Sequence, residues 1–253
     1  MSSREGKMLG SREMVERLST LPCGIRRKAF ALLRPRRALK LRNKLMHDPL
    51  FAGFKRLNTV FVQIPKTATT SINRLLFNAN TGQHYRIDEY PLIFPEHELE
   101  QMFSFAFTRN PWDRLASAYR YLMKGGNSGT ESGFRERFLL QFHDFEQFVV
   151  EGVGNRTDEC FEHVLFIPQS RFVCIGDNDT PAVDFIGRYE RLDEDFRVVL
   201  DRLGMSDTPH TALTKANQSS NNVQNYRDLY TPEMRDIVTR VYDKDIRLFN
   251  YSF

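Results

Sequence analysis

From residue 57 onward the chain alternates short apolar runs with stretches of helical spacing. LNTVFVQI (57–64) is an unbroken β-branched and apolar run, which predicts a buried strand. TTSINRLLFNAN (69–80) sets Ile72, Leu75 and Leu76 at helical spacing behind hydroxyl residues suited to capping. FSFAFT (103–108) predicts another strand, and WDRLASAYRYLMK, after Arg109, Asn110 and Pro111, another helix. RFVCIG (171–176) and AVDFIGRYE (182–190) predict two more strands. LDEDFRVVLDRLG (192–204) predicts a helix that stops at its glycine. TPEMRDIVTRVYDKDIRLFN (231–250) predicts one that starts at a Thr231 cap with Pro232 in its first turn. GGNSGTESG (125–133) and KANQSSNNVQN (215–225) predict loops by composition. Phe134, Phe138, Phe142, Phe145 and Phe148 recur at helical spacing, as core residues do. Strands alternating with helices predict an α/β domain built on a mostly parallel sheet.

Composition narrows the class. With 253 residues, 41% hydrophobic and 21 Phe, the chain can build a full core and is no disordered tail. No apolar run approaches the ~20 residues of a membrane span, and MSSREGKMLGSREMVERL has no apolar signal core. A soluble, cytoplasmic protein is therefore expected. Cys23, Cys160 and Cys174 are odd in number and lack CxxC spacing, which disfavours a disulfide framework and a zinc cage.

The net charge of +4 hides an asymmetry. Residues 1–56 carry 15 Lys and Arg against four Asp and Glu, whereas the remainder carries 21 against 28. This divides the chain into a basic helical arm, 1–56, and a catalytic-type domain, 57–253. The arm could meet an acidic polymer or a membrane surface peripherally. Its plainer role is an amphipathic helix, broken at Pro35 and packed on the domain. No nucleic-acid motif accompanies it, so nucleic acid is not an expected partner.

The candidate chemistry sits where strand meets helix. Such a junction gathers backbone N–H groups and a helix N-terminus, and PKTATTS (65–71) adds a lysine and hydroxyls. That set suits a phosphate or sulfate. It is a poor Walker A loop, because both glycines are missing and Lys66 comes at its start. A nucleoside-triphosphate kinase is disfavoured accordingly. At the next strand end, Arg109 offers a planar fork of donors, and Ser117 adds a hydroxyl one to two turns into the following helix. Two anion grips at neighbouring strand ends imply a ligand with two separated phosphate groups.

The pair PKTATTS and RNPWDRLASAY resembles the two phosphate motifs of sulfotransferases, especially the Golgi carbohydrate sulfotransferases and their soluble bacterial relatives. YERLDEDFRVVLDRLG, KANQSS and YDKDIRLFNYSF look like later segments of that family, so the resemblance covers roughly residues 57–253. It implies a P-loop-like three-layer sandwich, with a mostly parallel central sheet flanked by helices. It also implies 3′-phosphoadenosine-5′-phosphosulfate (PAPS) as co-substrate, the bisphosphate nucleotide PAP as product, and a sulfuryl group passed to a hydroxyl or amine of a glycan or small metabolite. Carried over residue by residue, Lys66 would contact the bridging oxygen. Pro65, Thr67, Ala68, Thr69, Thr70 and Ser71, with their amides, would cradle the 5′-phosphate, and Arg109 and Ser117 would hold the 3′-phosphate. No metal is expected, since fixed donors and a lysine supply the electrostatics.

The base that takes the acceptor's proton is first His84, at the interval where heparan-type relatives carry a histidine. His97, Glu89 and Glu96 are the alternatives. Trp112 could serve as an adenine platform, but one Trp beside Pro at a helix start is more often a core anchor. Arg191, Lys215, Asn217 and Ser219 could assist the 3′-phosphate by family position. A non-catalytic module for acidic or sulfated glycans is the competing function. Intact Lys66, Arg109 and Ser117 speak against it. Neither the acceptor nor the oligomeric state is encoded in these motifs.

Overall fold

The computed structural model describes residues 48–80, 82–155, 158–176, 179–207 and 225–253. Cys23, Lys215, Asn217, Ser219 and the basic arm up to residue 47 lie outside them. The described chain begins with helix α1 (Pro49–Arg56), capped by the Asp48 carboxylate on the Leu50 amide at 3.0 Å. Strand β1 (Thr59–Val62) and helix α2 (Thr69–Phe77) follow. Strand β2 (Phe103–Thr108) leads into α3 (Pro111–Met123) and α4 (Gly129–Arg137). A short helix α5 (Ser170–Val173) precedes strand β3 (Phe185–Arg188) and α6 (Leu192–Arg202). Helices α7 (Pro232–Val241) and α8 (Asp243–Leu248) close the fold.

Among the described residues the sheet has the order β1-β2-β3, parallel throughout, with Phe61 opposite Phe105 and Phe105 opposite Phe185. Every residue of β1 is buried, as expected of a parallel sheet covered by helices on both faces. One core cluster joins α1, β1, α2 and α6 through residues such as Phe54, Val62, Leu76 and Phe196. Another joins α3, the Phe134–Phe148 region and α7, around Trp112, Leu122 and Val238. At Gly187 the strands pack so closely that a Cβ would lie 2.3 Å from the Phe107 ring. Only glycine fits there.

Four expectations change. Leu50, Phe51 and Phe54 belong to the core, so the packed domain begins inside the segment that charge had assigned to the arm. Residues 125–133 are not all loop, because Ser128 caps α4 by accepting the Glu131 amide at 3.3 Å. The first half of RFVCIG, residues 171–173, is helix rather than strand. The buried Asp245 carboxylate accepts the amides of Gln169 (2.6 Å) and Ser170 (2.8 Å), and these long-range bonds start α5. Only an antiparallel bridge from Cys174 to Pro181 survives of the strand. The terminal helix divides at Tyr242, whose buried hydroxyl donates to the Phe166 carbonyl at 2.8 Å.

Candidate active site

The carboxyl ends of β1 and β2 open into one cleft of about 760 Å³. Pro65, Lys66, Ala68, Thr69, Thr70 and Ser71 line one wall, Arg109 and Ser117 another, and His84 a third. The two motifs are in direct contact, since Arg109 Nη1 donates to the Lys66 carbonyl at 3.1 Å.

The 65–71 loop turns without glycine. Lys66 and Ala68 adopt left-handed backbone angles, with φ of 69° and 65°. Side chains disfavour that conformation by roughly 1–2 kcal/mol each, a strain typical of functional turns. The Thr67 and Thr69 hydroxyls both donate to the Ile64 carbonyl, at 2.8 and 2.9 Å. Those hydroxyls are structural staples, and Thr67 is fully buried outside the cleft lining. The side-chain cradle therefore narrows to Thr70 and Ser71. The amides of Ser71 and Ile72 bond to the Ala68 carbonyl. Those of residues 66–70 take no backbone partner among the described residues. Such donors at a helix N-terminus fit a phosphate oxygen.

Arg109 is fixed on several sides. Its Nε donates to Asp113 at 2.7 Å, Nη1 also reaches Ser117 Oγ at 3.2 Å, and the Tyr189 ring lies 4.1 Å from the guanidinium carbon. Helix α3 is seated by Asn110, whose side chain caps the Trp112 amide and donates to the Ser252 carbonyl. Glu190 accepts the Asn110 amide at 2.6 Å. The C-terminal tail and YERL segment thus lock the second motif in place.

His84 Nδ1 lies 2.8 Å from the Gln63 carbonyl. A carbonyl only accepts, so Nδ1 carries the proton and Nε2 keeps its lone pair. Gln63 Oε1 also accepts the Gln83 amide at 2.6 Å, tying the histidine loop to the strand end before Lys66. Burial lowers the His84 pKa from its ordinary value, outweighing the opposing Gln63 bond, with the Arg114 and Lys66 charges acting in the same direction as burial. Lys66 is lowered to about 8, first by burial and then by Arg109, while Glu131 opposes the shift.

The alternative bases lie elsewhere. His97 and Glu96 are exposed, and Glu89 accepts the Arg86 amide at 2.9 Å; none lines the cleft. Trp112 is buried, with its indole N–H donating to the Arg235 carbonyl at 3.3 Å, so it is a core anchor. Arg191 lies beside a separate depression with Arg188, Asn250 and Ser252.

Arg120, Tyr121, Lys124, Glu131 and Tyr189 also line the cleft, and neither phosphate motif points to them. Helical spacing could have found three of them, since Ser117, Arg120 and Tyr121 share one face of α3 and Lys124 caps its end. Glu131 carried a signal as well, for Ser128-x-x-Glu131 has the form of a capping box. Among the described residues no cluster of three His, Cys, Asp or Glu is placed to hold a metal, and no helix is long and apolar enough to cross a membrane.

Comparison with known proteins gives consistent results. A family model described as the sulfotransferase family matches residues 51–252. Carbohydrate sulfotransferase 11 of Mus musculus is 21% identical over 232 residues, covering 76% of this chain and 64% of that protein. The protein of the same name from Danio rerio matches with the same identity and coverage. A protein of Archaeoglobus fulgidus, described only as uncharacterized, is 28% identical over 103 residues, 41% of this chain and 68% of its own length. The chain spans less than two thirds of the curated carbohydrate sulfotransferases it matches. No solved structure matches it significantly.

Proposed function

The chain belongs to the sulfotransferase family, and from that premise we propose that it transfers a sulfuryl group from PAPS to a hydroxyl of a carbohydrate. An amine or a small hydroxylated metabolite is the less favoured acceptor, because the named relatives act on carbohydrate by their names. One observation carries this proposal. The amide-rich loop and the Arg109–Ser117 grip, each suited to a phosphate, open into a single cleft that also holds a lysine and a neutral histidine.

PAPS supplies an activated sulfuryl group on a phosphate leaving group. The amides of residues 66–70, with the Thr70 and Ser71 hydroxyls, would bind the 5′-phosphate. Arg109 would fork onto the 3′-phosphate, held in aim by Asp113 and Tyr189. Such fixed donors do not reorganise during reaction, and this is how sites of this kind stabilise developing charge. Lys66, protonated at neutral pH, donates to the bridging oxygen as that oxygen gains charge. His84 Nε2 takes the acceptor's proton while Nδ1–H stays on the Gln63 carbonyl.

The test combines calorimetry with PAP and transfer of labelled sulfate from PAPS to a panel of glycans and small hydroxylated acceptors. Binding with transfer to a glycan supports the proposal in full. Binding without transfer to any acceptor would favour a glycan-binding module that retains a nucleotide site. Absence of PAP binding would refute the donor assignment.

A further inference from the structure

Lys66 does not hang free in the cleft. Its Nζ lies 4.0 Å from the centroid of the Tyr121 ring. That ring is itself held, because the Tyr121 hydroxyl lies 3.0 Å from both carboxylate oxygens of Glu131 and donates to them. Glu131 is pinned in turn by the Asn127 amide at 2.7 Å and the Ser128 hydroxyl at 3.1 Å, at the start of α4. We propose that Tyr121 and Glu131 are positioning residues that seat the Lys66 ammonium, the ring holding the cation by its face and the carboxylate holding the ring.

A lysine side chain is a flexible stem with a mobile point charge, so pre-placing it removes freedom that the reaction would otherwise have to restrict. A ring face attracts a cation without occupying it as a carboxylate would, which leaves N–H bonds to donate elsewhere. Ser117 and Tyr121 stand one turn apart on α3. One rigid element thus sets the spacing between the 3′-phosphate grip and the lysine at the reacting oxygen. The seat also bears on charge. Arg109 and Lys124 disfavour the ammonium and Glu131 favours it, with the neutral His84 on the same cleft. Glu131 is therefore the group of the site that works against burial to keep Lys66 protonated, and the Tyr121 ring face holds the ammonium beside it.

The inference rests on the sulfotransfer proposal for its kinetic consequence, but its first measurement does not. The full chain and the variants Tyr121→Leu, Tyr121→Phe and Glu131→Gln are pulsed with an amine-acylating reagent across pH. Mass spectrometry then follows Lys66 labelling, giving its titration midpoint. Wild type should titrate near 8; the midpoint should fall in Tyr121→Leu and Glu131→Gln, and by less in Tyr121→Phe, which keeps the ring face but loses the hydroxyl that Glu131 holds. With PAPS, Tyr121→Leu should lose about tenfold in kcat with donor KM within about twofold, and Tyr121→Phe should recover part of it. An unmoved Lys66 midpoint in both Tyr121→Leu and Glu131→Gln would overturn the seat, as would a Phe variant as impaired as Leu. If wild type transfers no sulfate, the proposed function fails by itself, and the labelling curves still decide the seat. Should Tyr121→Leu not fold, Glu131→Gln decides by the same midpoint.

Discussion

Replacing His84 by alanine removes the imidazole whose Nε2 lone pair is set by the 2.8 Å bond from Nδ1–H to the Gln63 carbonyl. A positioned base contributes about 10²–10⁴-fold to such a proton transfer. That is about 2.7–5.4 kcal/mol of activation free energy, at 1.36 kcal/mol per decade. The folding cost is smaller, because one lost hydrogen bond of this kind is worth about 1 kcal/mol. His84→Asn sharpens the test, since its amide can still donate to Gln63 but has no basic nitrogen. Both variants should keep PAP affinity and lose most of kcat in the labelled-sulfate assay. The pH dependence has a definite sign. The base works only when neutral, and burial lowers its pKa from 6.5, so wild-type activity should fall with acid only below about that pH. That acidic limb should vanish in the variants. The same depressed pKa makes the folded protein bind fewer protons than the unfolded chain. Its stabilising contribution is present above pH 6.5 and is lost as pH falls. A His84→Asn enzyme with wild-type kcat, or one that keeps the acidic limb, would refute the base assignment.

Arg109→Ala should weaken PAP binding by roughly 2–4 kcal/mol in calorimetry, because a phosphate loses a charge-assisted fork, and Ser117→Ala should cost less; equal affinities would end the 3′-phosphate assignment. Lys66→Ala should lower kcat ~10²-fold or more, and wild-type activity should decline as pH rises past about 8, where the ammonium deprotonates; a rise in donor KM alone would make Lys66 a binding residue only. Asp245→Ala should destabilise the fold by roughly 2–5 kcal/mol in urea unfolding, because it strands the buried Gln169 and Ser170 amides, and an unchanged midpoint would contradict that anchoring role. Deleting residues 1–47 should leave PAP affinity unchanged, since both phosphate motifs lie beyond them in the sequence; a loss would tie the basic arm to the donor site.

Much of this molecule was legible in one dimension. An apolar β-branched run specifies a buried strand locally, so 57–64 and 103–108 read correctly, as did the helices that follow them. Thr231 with Pro232 marked a helix start because caps act on adjacent residues. Lys66, Arg109, Ser117 and His84 were all singled out from motif and interval, and the fold brings them into one cleft. What failed were features decided by contacts that composition and spacing do not show, some of them distant along the chain. RFVCIG has strand composition, yet the Asp245 carboxylate, some 75 residues away, starts a helix there. The hydroxyls of Thr67 and Thr69 looked like ligands, but the Ile64 carbonyl folds back to accept both. The family interval put His84 ahead of His97, Glu89 and Glu96, but spacing alone could not show which of them reaches the cleft. Only the closure of Gln83 and His84 onto Gln63 put one of them in the cleft, with its tautomer fixed. The Tyr121–Glu131 contact joins α3 to α4 across a turn rich in glycine. Propensity acts within a few residues, whereas the aim of a side chain depends on whatever the tertiary packing sets against it.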